Sequence, residues 1–222
     1  MKSASNMREV LAFLKRLSAN NDRSWFKERK AAEYDPLRQA WEQDMERLIA
    51  MVADFDPMAR GLTVRDSVYR IYRDTRFSHD KRPYKDFFSG VIGKGGRHTV
   101  QSCYYVHFGA QDLLLGGGIW QPDKAVLDRL RALIDAEGDE FLALVSEPAF
   151  ADRYRWSSRS LMRMPKGWPD DHPLARFIKM KEYLLEMRLD ERYFDCDDWV
   201  ARVAQDLQPL HPLHQFLNYV FE

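Results

Sequence analysis

From Arg70 to Lys85 the chain reads Arg-Ile-Tyr-Arg-Asp-Thr-Arg-Phe-Ser-His-Asp-Lys-Arg-Pro-Tyr-Lys, its densest run of chemically capable groups. Between Arg65 and Asp86 there are seven lysines and arginines against four aspartates, a local excess of three positive charges. Guanidinium groups present planar, paired donors that match phosphate or carboxylate oxygens. Arg70, Arg73, Arg76, Lys81 and Lys85 are therefore candidate anion ligands. Thr75 and Ser78 could add hydroxyl donors, and Tyr72 or Tyr84 could wall an organic group. On a regular strand Val68, Arg70 and Tyr72 share one face, and Tyr69, Ile71 and Arg73 the other. The loop that follows has to bring Arg76, Lys81 and Lys85 back over one of these faces. Asp74 and Asp80 could act as base or metal ligand, but cationic neighbours should depress both carboxylates, and a depressed carboxylate is a poor general base at neutral pH. The competing reading is a loop pinned by its own alternating charges, with Arg73, Asp74, Arg76 and Asp80 satisfying one another.

Two further segments carry candidate ligands. Gly116-Gly117-Gly118 lies in a strand-like run, where three glycines mark a bulge or a close backbone approach. Trp120 and Pro122 then lead to a helix start whose free amides could bind an anion. Gly117, Gly118 and Trp120 join the candidate ligand set on that reading; on the other, the glycines admit a bulky neighbour such as Trp25 or Tyr84. Lys166, in Met-Pro-Lys-Gly-Trp, closes the same pocket or sits in a solvated loop. No Walker loop, GxGxxG, GxSxG or HExxH pattern is present, so no catalytic residue or cofactor is indicated. His211 and His214, three apart, lack the further ligands a metal site needs, and no metal is expected.

Composition narrows the classes. The 222 residues hold 34 Lys+Arg and 34 Asp+Glu, a formal net charge of zero. A nucleic-acid binder usually shows a basic excess, so nucleic acid is a poor candidate partner. The longest apolar runs are about five residues, far short of the roughly 20 that span a bilayer, and no membrane association is expected. The first ten residues have no apolar core of signal-peptide length. Cys103 and Cys196 read as reduced thiols, and a cytoplasmic location is expected. Oligomeric state stays open.

The elements that must position these residues can be read from periodicity. Val10, Leu11, Leu14 and Leu17 predict a helix with Asn6 as its cap. Asn20-Asn21-Asp22 ends it and starts a short helix carrying Trp25 and Phe26. Asp35-Pro36 reads as a restart, followed by a Leu37, Trp41, Met45, Leu48, Val52 stripe that should pack on a sheet. Strands are predicted over Ser67–Arg73, Phe87–Gly93, Gln101–Phe108 and Leu113–Trp120, joined by short turns that favour an antiparallel meander. Helices are predicted around Val126–Ile134 and Phe141–Val145, with Trp156–Pro173 irregular. A strand over Lys181–Leu189 and helices over Asp197–Leu207 and Pro212–Phe221 complete the chain. The expectation is a single α+β domain over 1–222: helical to residue 60, stranded over 65–120, mostly helical over 121–222. Its antiparallel sheet of four to six strands packs against N-terminal, central and C-terminal helices.

The Arg70–Lys85 run resembles the signature of an uncharacterised, mainly bacterial domain-of-unknown-function family, numbered 2461, close to RxYRDxRFSxDKxPYK. His79 falls at a variable position, and Arg82 stands where Thr or Ser is often seen. Phe13–Asn21 with Trp25-Phe26, Gly116–Pro122 and Pro165–Trp168 also resemble the family, in the expected order. The resemblance brings no established activity; it implies that these pieces share one surface. Three readings compete: a pocket for an anionic or phosphorylated small molecule, enzymatic or sensory; a protein or nucleic-acid interaction module using the basic loop; and a motif that only pins the fold.

Overall fold

The computed structural model describes residues 2–222. Helix α1 (Met7–Ala19) starts where the Asn6 side chain accepts the Arg8 amide, and it buries Val10, Leu11, Phe13, Leu14 and Leu17. A cap of this kind satisfies one of the four amides that a helix start leaves without a partner. Asp22 does the same for α2 (Arg23–Arg29), accepting from the amides of Ser24 and Trp25. The restart expected at Asp35-Pro36 is not a restart. Helix α2 runs through a π turn, Lys30–Tyr34, straight into α3 (Asp35–Phe55). Asp35 binds the Lys30 ammonium at 2.8 Å instead of capping. Pro36, which has no amide to donate, falls where bonding returns from i→i−5 to i→i−4.

The strand expected over Ser67–Arg73 also differs. A capping box between Thr63 and Asp66 turns Val64–Ser67 into a short helix, α4. The chain then touches the sheet through two isolated bridges, Val68 to Gly90 and Tyr72 to Tyr84. Four steps on one side of this ladder span six on the other, so regular pairing cannot propagate. Residues 68–86 form an irregular hairpin arm.

The sheet proper comprises β1 (Phe87–Ile92), β2 (Cys103–Gly109) and β3 (Leu113–Ile119), a meander as expected. Helices α5 (Lys124–Ala136), α6 (Gly138–Ser146) and α7 (Pro148–Ala151) follow. Strand β4 (Arg155–Trp156), helix α8 (Ala175–Ile178) and strand β5 (Tyr183–Arg188) come next. Helices α9 (Trp199–Leu207) and α10 (His211–Asn218) close the chain. The strand order is β1-β2-β3-β5-β4, antiparallel throughout, which makes the fold α+β.

One sheet face carries the core. Along β2, Tyr104, Val106 and Phe108 are buried while Tyr105 and His107 are half-buried on the other face, the period-2 pattern of a sheet covered by helices on one side. Trp41 of α3 packs on Phe88 and Phe108, with ring centroids at 5.8 and 5.6 Å, and stacks on Trp199 of α9 at 6.0 Å. The glycine run of β3 sits in this layer. A Cβ on Gly117 would lie 2.5 Å from Nε2 of His214, so the bulky neighbour it admits is His214, not Trp25 or Tyr84. Gly118 has φ +121° and no room for a Cβ.

Candidate functional site

The arm is clamped to the N-terminal helices by a side chain and a ring stack. Asn21, between α1 and α2, donates to the Tyr84 carbonyl and accepts the Tyr84 amide, both at 3.1 Å. Phe26 of α2 stacks on Tyr84 at 4.1 Å, and Tyr72 leans on Tyr84 at 5.5 Å. Between α2 and the arm lies a cleft of about 430 Å³ with these three rings in its wall. Volumes of this order suit small-molecule sites.

The remaining walls are cationic. Arg23, Lys27 and Lys30 come from the α2 side and Arg73 from the arm, with Thr75 and Pro83 between them. Among the described residues no carboxylate lines the cleft. Lys30 shares its charge with Asp35, and Arg73 donates to Asp80 at 2.5 Å. Arg23 and Lys27 are exposed and have no ion-pair partner among the described residues. The positive potential is thus only partly neutralised.

Of the residues read from sequence, Tyr72, Arg73 and Tyr84 meet in this cleft, with Thr75 beside them. The other arm charges are occupied or lie elsewhere. Arg76 grips Asp74, and that bond, with the Arg76 amide, pulls the carboxyl down to about 2. Asp80 takes the forks of Arg82 and Arg73, which hold its carboxyl far below the usual carboxylate range. Arg82 also reaches Asp86 at 3.6 Å, and Lys81 donates to the Thr75 carbonyl. Ser78 makes no hydrogen bond among the described residues. Arg70 is exposed, and Lys85 turns to the opposite side of the arm, where it lies over Tyr69. The two arm aspartates are therefore held ionised, in keeping with the weak basicity expected of them.

Gly117 and Gly118 stand in β3, which β1 and β2 separate from the arm. Trp120 is exposed just past that strand, and Lys166 is exposed in the loop before α8. None of the four lines the cleft. The aromatic and asparagine pieces of the signature do share a surface with the arm. The contribution of α2 was not read from sequence, although Arg23, Lys27 and Lys30 recur at i, i+4 and i+7, the spacing of one helix face.

A family model described as "Conserved hypothetical protein (DUF2461)" matches residues 9–216. The chain belongs to this family. In this DUF2461 member the match runs from α1 into α10 and so takes in the arm, the cleft and the whole sheet. Comparison with curated proteins and with solved structures found no match. Among the described residues no helix is long and apolar enough to cross a membrane, and no group of three or more His, Cys, Asp or Glu side chains is placed to hold a metal.

Proposed function

We propose that this DUF2461 member binds an anionic small molecule, phosphorylated or carboxylated, in the cleft between α2 and the arm. The observation that carries the reading is a cleft with four cationic side chains and three aromatic rings in its wall and no carboxylate. Arg23, Lys27, Lys30 and Arg73 would receive the anion, with the guanidinium groups matching its oxygens in pairs. Tyr72 and Tyr84 would carry a planar organic part, which favours nucleotide-like ligands over bare anions. The arm aspartates, held ionised by their arginines, offer a bound ligand no effective base.

A thermal-shift series at low salt tests this with nucleoside phosphates, sugar phosphates and dicarboxylates. A ligand at 100 times its dissociation constant stabilises by about 2.7 kcal/mol, roughly 5–10 °C for a chain of this length. The shift is expected from one anion class and should vanish in Arg23→Ala/Lys27→Ala, whose side chains make no bond that the fold uses. No shift across the panel, or one that survives the double variant, defeats the reading.

The pairing of Arg73, Asp80 and Arg82 supports a second role for the same segment, that of pinning the loop from 74 to 82. Asp80→Asn removes the charge that both arginines share. Cleavage of that loop by a site-specific protease should speed up several-fold, while the global unfolding midpoint moves little, because solvent-exposed pairs contribute modestly. Wild-type cleavage kinetics would show that the loop is held by something else.

A further inference from the structure

We propose that Lys85, Arg97 and Arg70 form a second anion site, on the sheet face away from the helices, that takes the carboxylate or phosphate of a small organic ligand. Lys85 leaves the arm just before β1 and points to the face that bears Tyr105 and His107. Its ammonium lies 4.7 Å from the Tyr69 ring centre and 5.7 Å from that of Phe87. Among the described residues no carboxylate and no hydrogen-bond acceptor engages it. Asp86, the nearest carboxylate in sequence, is bound to Ser18 at 2.7 Å and to Arg82.

The charges around Lys85 are of its own sign. Burial lowers the affinity of its amine for a proton, and Arg70, Arg97, Arg38 and Arg73 lower it further. A half-buried ammonium among arginines, without a counter-charge, is an unfavourable arrangement that a bound anion would relieve. The donors fit that task. Arg97 spends Nε and Nη2 on the carbonyls of Asp66 and Arg65, at 3.1 and 2.7 Å, which fixes the guanidinium and leaves Nη1 without an acceptor among the described residues. Its carbon lies 5.9 Å from the centre of the same Tyr69 ring that Lys85 faces, so the two cations flank one aromatic surface. Arg70 is exposed and has no hydrogen-bond or ion-pair partner among the described residues, although its charge acts on Asp74.

The surroundings suit an organic body as well as a charge. Phe87 packs on the His107 ring at 4.3 Å, and Nδ1 of His107 meets the Tyr105 hydroxyl at 3.0 Å. Burial pushes His107 towards its neutral form and lifts the Tyr105 hydroxyl to about 12. The floor is thus aromatic and itself uncharged; the cations gather beside Tyr69 and Phe87, while the carboxylates of Asp112 and Asp86 act on His107. This site shares no residue with the α2 cleft, so either can fail without the other.

Amine acetylation tests the proposal on the intact wild-type protein. A brief pulse of acetic anhydride at constant ionic strength is followed by peptide mass spectrometry at Lys85, Lys27 and Lys124, with inorganic phosphate or citrate as the probe. At ten times its dissociation constant the anion should slow modification of Lys85 about tenfold, because only about a tenth of the sites stay free. Lys124, at the start of α5, should be unaffected, and Lys27 reports separately on the α2 cleft. Protection by citrate alone marks a carboxylate ligand and protection by phosphate alone a phosphorylated one. In Arg97→Met the protection should be lost. Equal slowing at Lys85 and Lys124, no slowing at Lys85, or protection that persists in Arg70→Met/Arg97→Met overturns the proposal.

Discussion

Gly118→Ala is expected to destabilise the protein by about 4 kcal/mol or more, a loss beyond most single substitutions and comparable to the whole stability of a marginal domain. Two causes act together. Gly118 has φ +121°, a conformation that L side chains rarely adopt. A Cβ built there would stand 1.8 Å from the Tyr183 carbonyl oxygen, which belongs to the backbone of β5. That oxygen cannot swing aside as a side chain would. It moves only with the strand, and β3 pairs with β5 from Leu114 to Ile119. Urea unfolding gives the measurement: the midpoint should fall sharply, or the variant should be recovered only as aggregate. Gly61→Ala is the control. Gly61 also has positive φ, at +78°, but nothing lies within 4 Å of its added Cβ. It should cost only the conformational strain, about 1–2 kcal/mol. Similar losses in the two variants would mean that the contact with β5 contributes nothing.

The second large effect is acid sensitivity through His214. The ring is 2% exposed, packs 4.3 Å from Tyr104, and has no hydrogen-bond partner at either nitrogen among the described residues. Burial, with the nearby His211 adding to it, drops its proton affinity from the ordinary 6.5 to about 3. The folded state therefore keeps His214 neutral through mild acid, while the unfolded chain takes up a proton below about 6.5. Stability is full above that value and declines as pH falls towards 3. At about 1.4 kcal/mol per unit, the loss attributable to His214 approaches 5 kcal/mol at the bottom of the window. Most paired carboxylates lose their stabilising charge below pH 5, so the range from 6.5 to 5 belongs to the histidines, and the contribution of His107, which burial also disfavours as a cation, is common to wild type and to a His214 variant. His214→Phe should flatten the slope of stability against pH in that range and should cost little at pH 7, since the wild-type ring carries an unpaired N–H. Parallel slopes for the two proteins would remove His214 as the cause.

How far the sequence reaches depends on whether the determinants are local. Asn6 and Asp22 cap the helices expected of them because a cap needs only the next two or three amides. Strands β1, β2, β3 and β5 are legible because apolar and β-branched runs lie between turn residues. The Ser67–Arg73 strand is not legible as it stands. Its residues favour a strand, but Thr63 and Asp66 form a competing capping box, and the offset between the Val68 and Tyr72 bridges breaks the ladder. The site divides for the same reason. Pairing by sequence neighbourhood puts Arg70, Arg73, Arg76, Lys81 and Lys85 together, whereas the arm delivers Arg73 to one side and Lys85 to the other. The cations of α2 come from a segment that precedes the motif by more than forty residues, a long-range contact that composition does not encode. The role of the glycine run depends on His214 in another way. It lies nearly one hundred residues downstream, and only the packed layer shows which side chain fills the space above Gly117.

The π turn at Lys30–Tyr34 decides where the N-terminal helices can change length. A π turn holds one residue more than the α-helical path through the same place, and each α-helical residue turns the axis by about 100°. Loss of a single codon at Ala31 or Ala32 would leave an unbroken, well-formed α-helix and would raise no local alarm. Because that shorter path passes through the same place, everything before it would keep its bearing: Phe26 would stay on Tyr84, and Arg23 and Lys27 beside the arm. The same loss inside the regular part of α3 would turn those residues by more than a quarter turn. A change of one residue is therefore absorbed at the π turn and not in the α-helical stretches on either side.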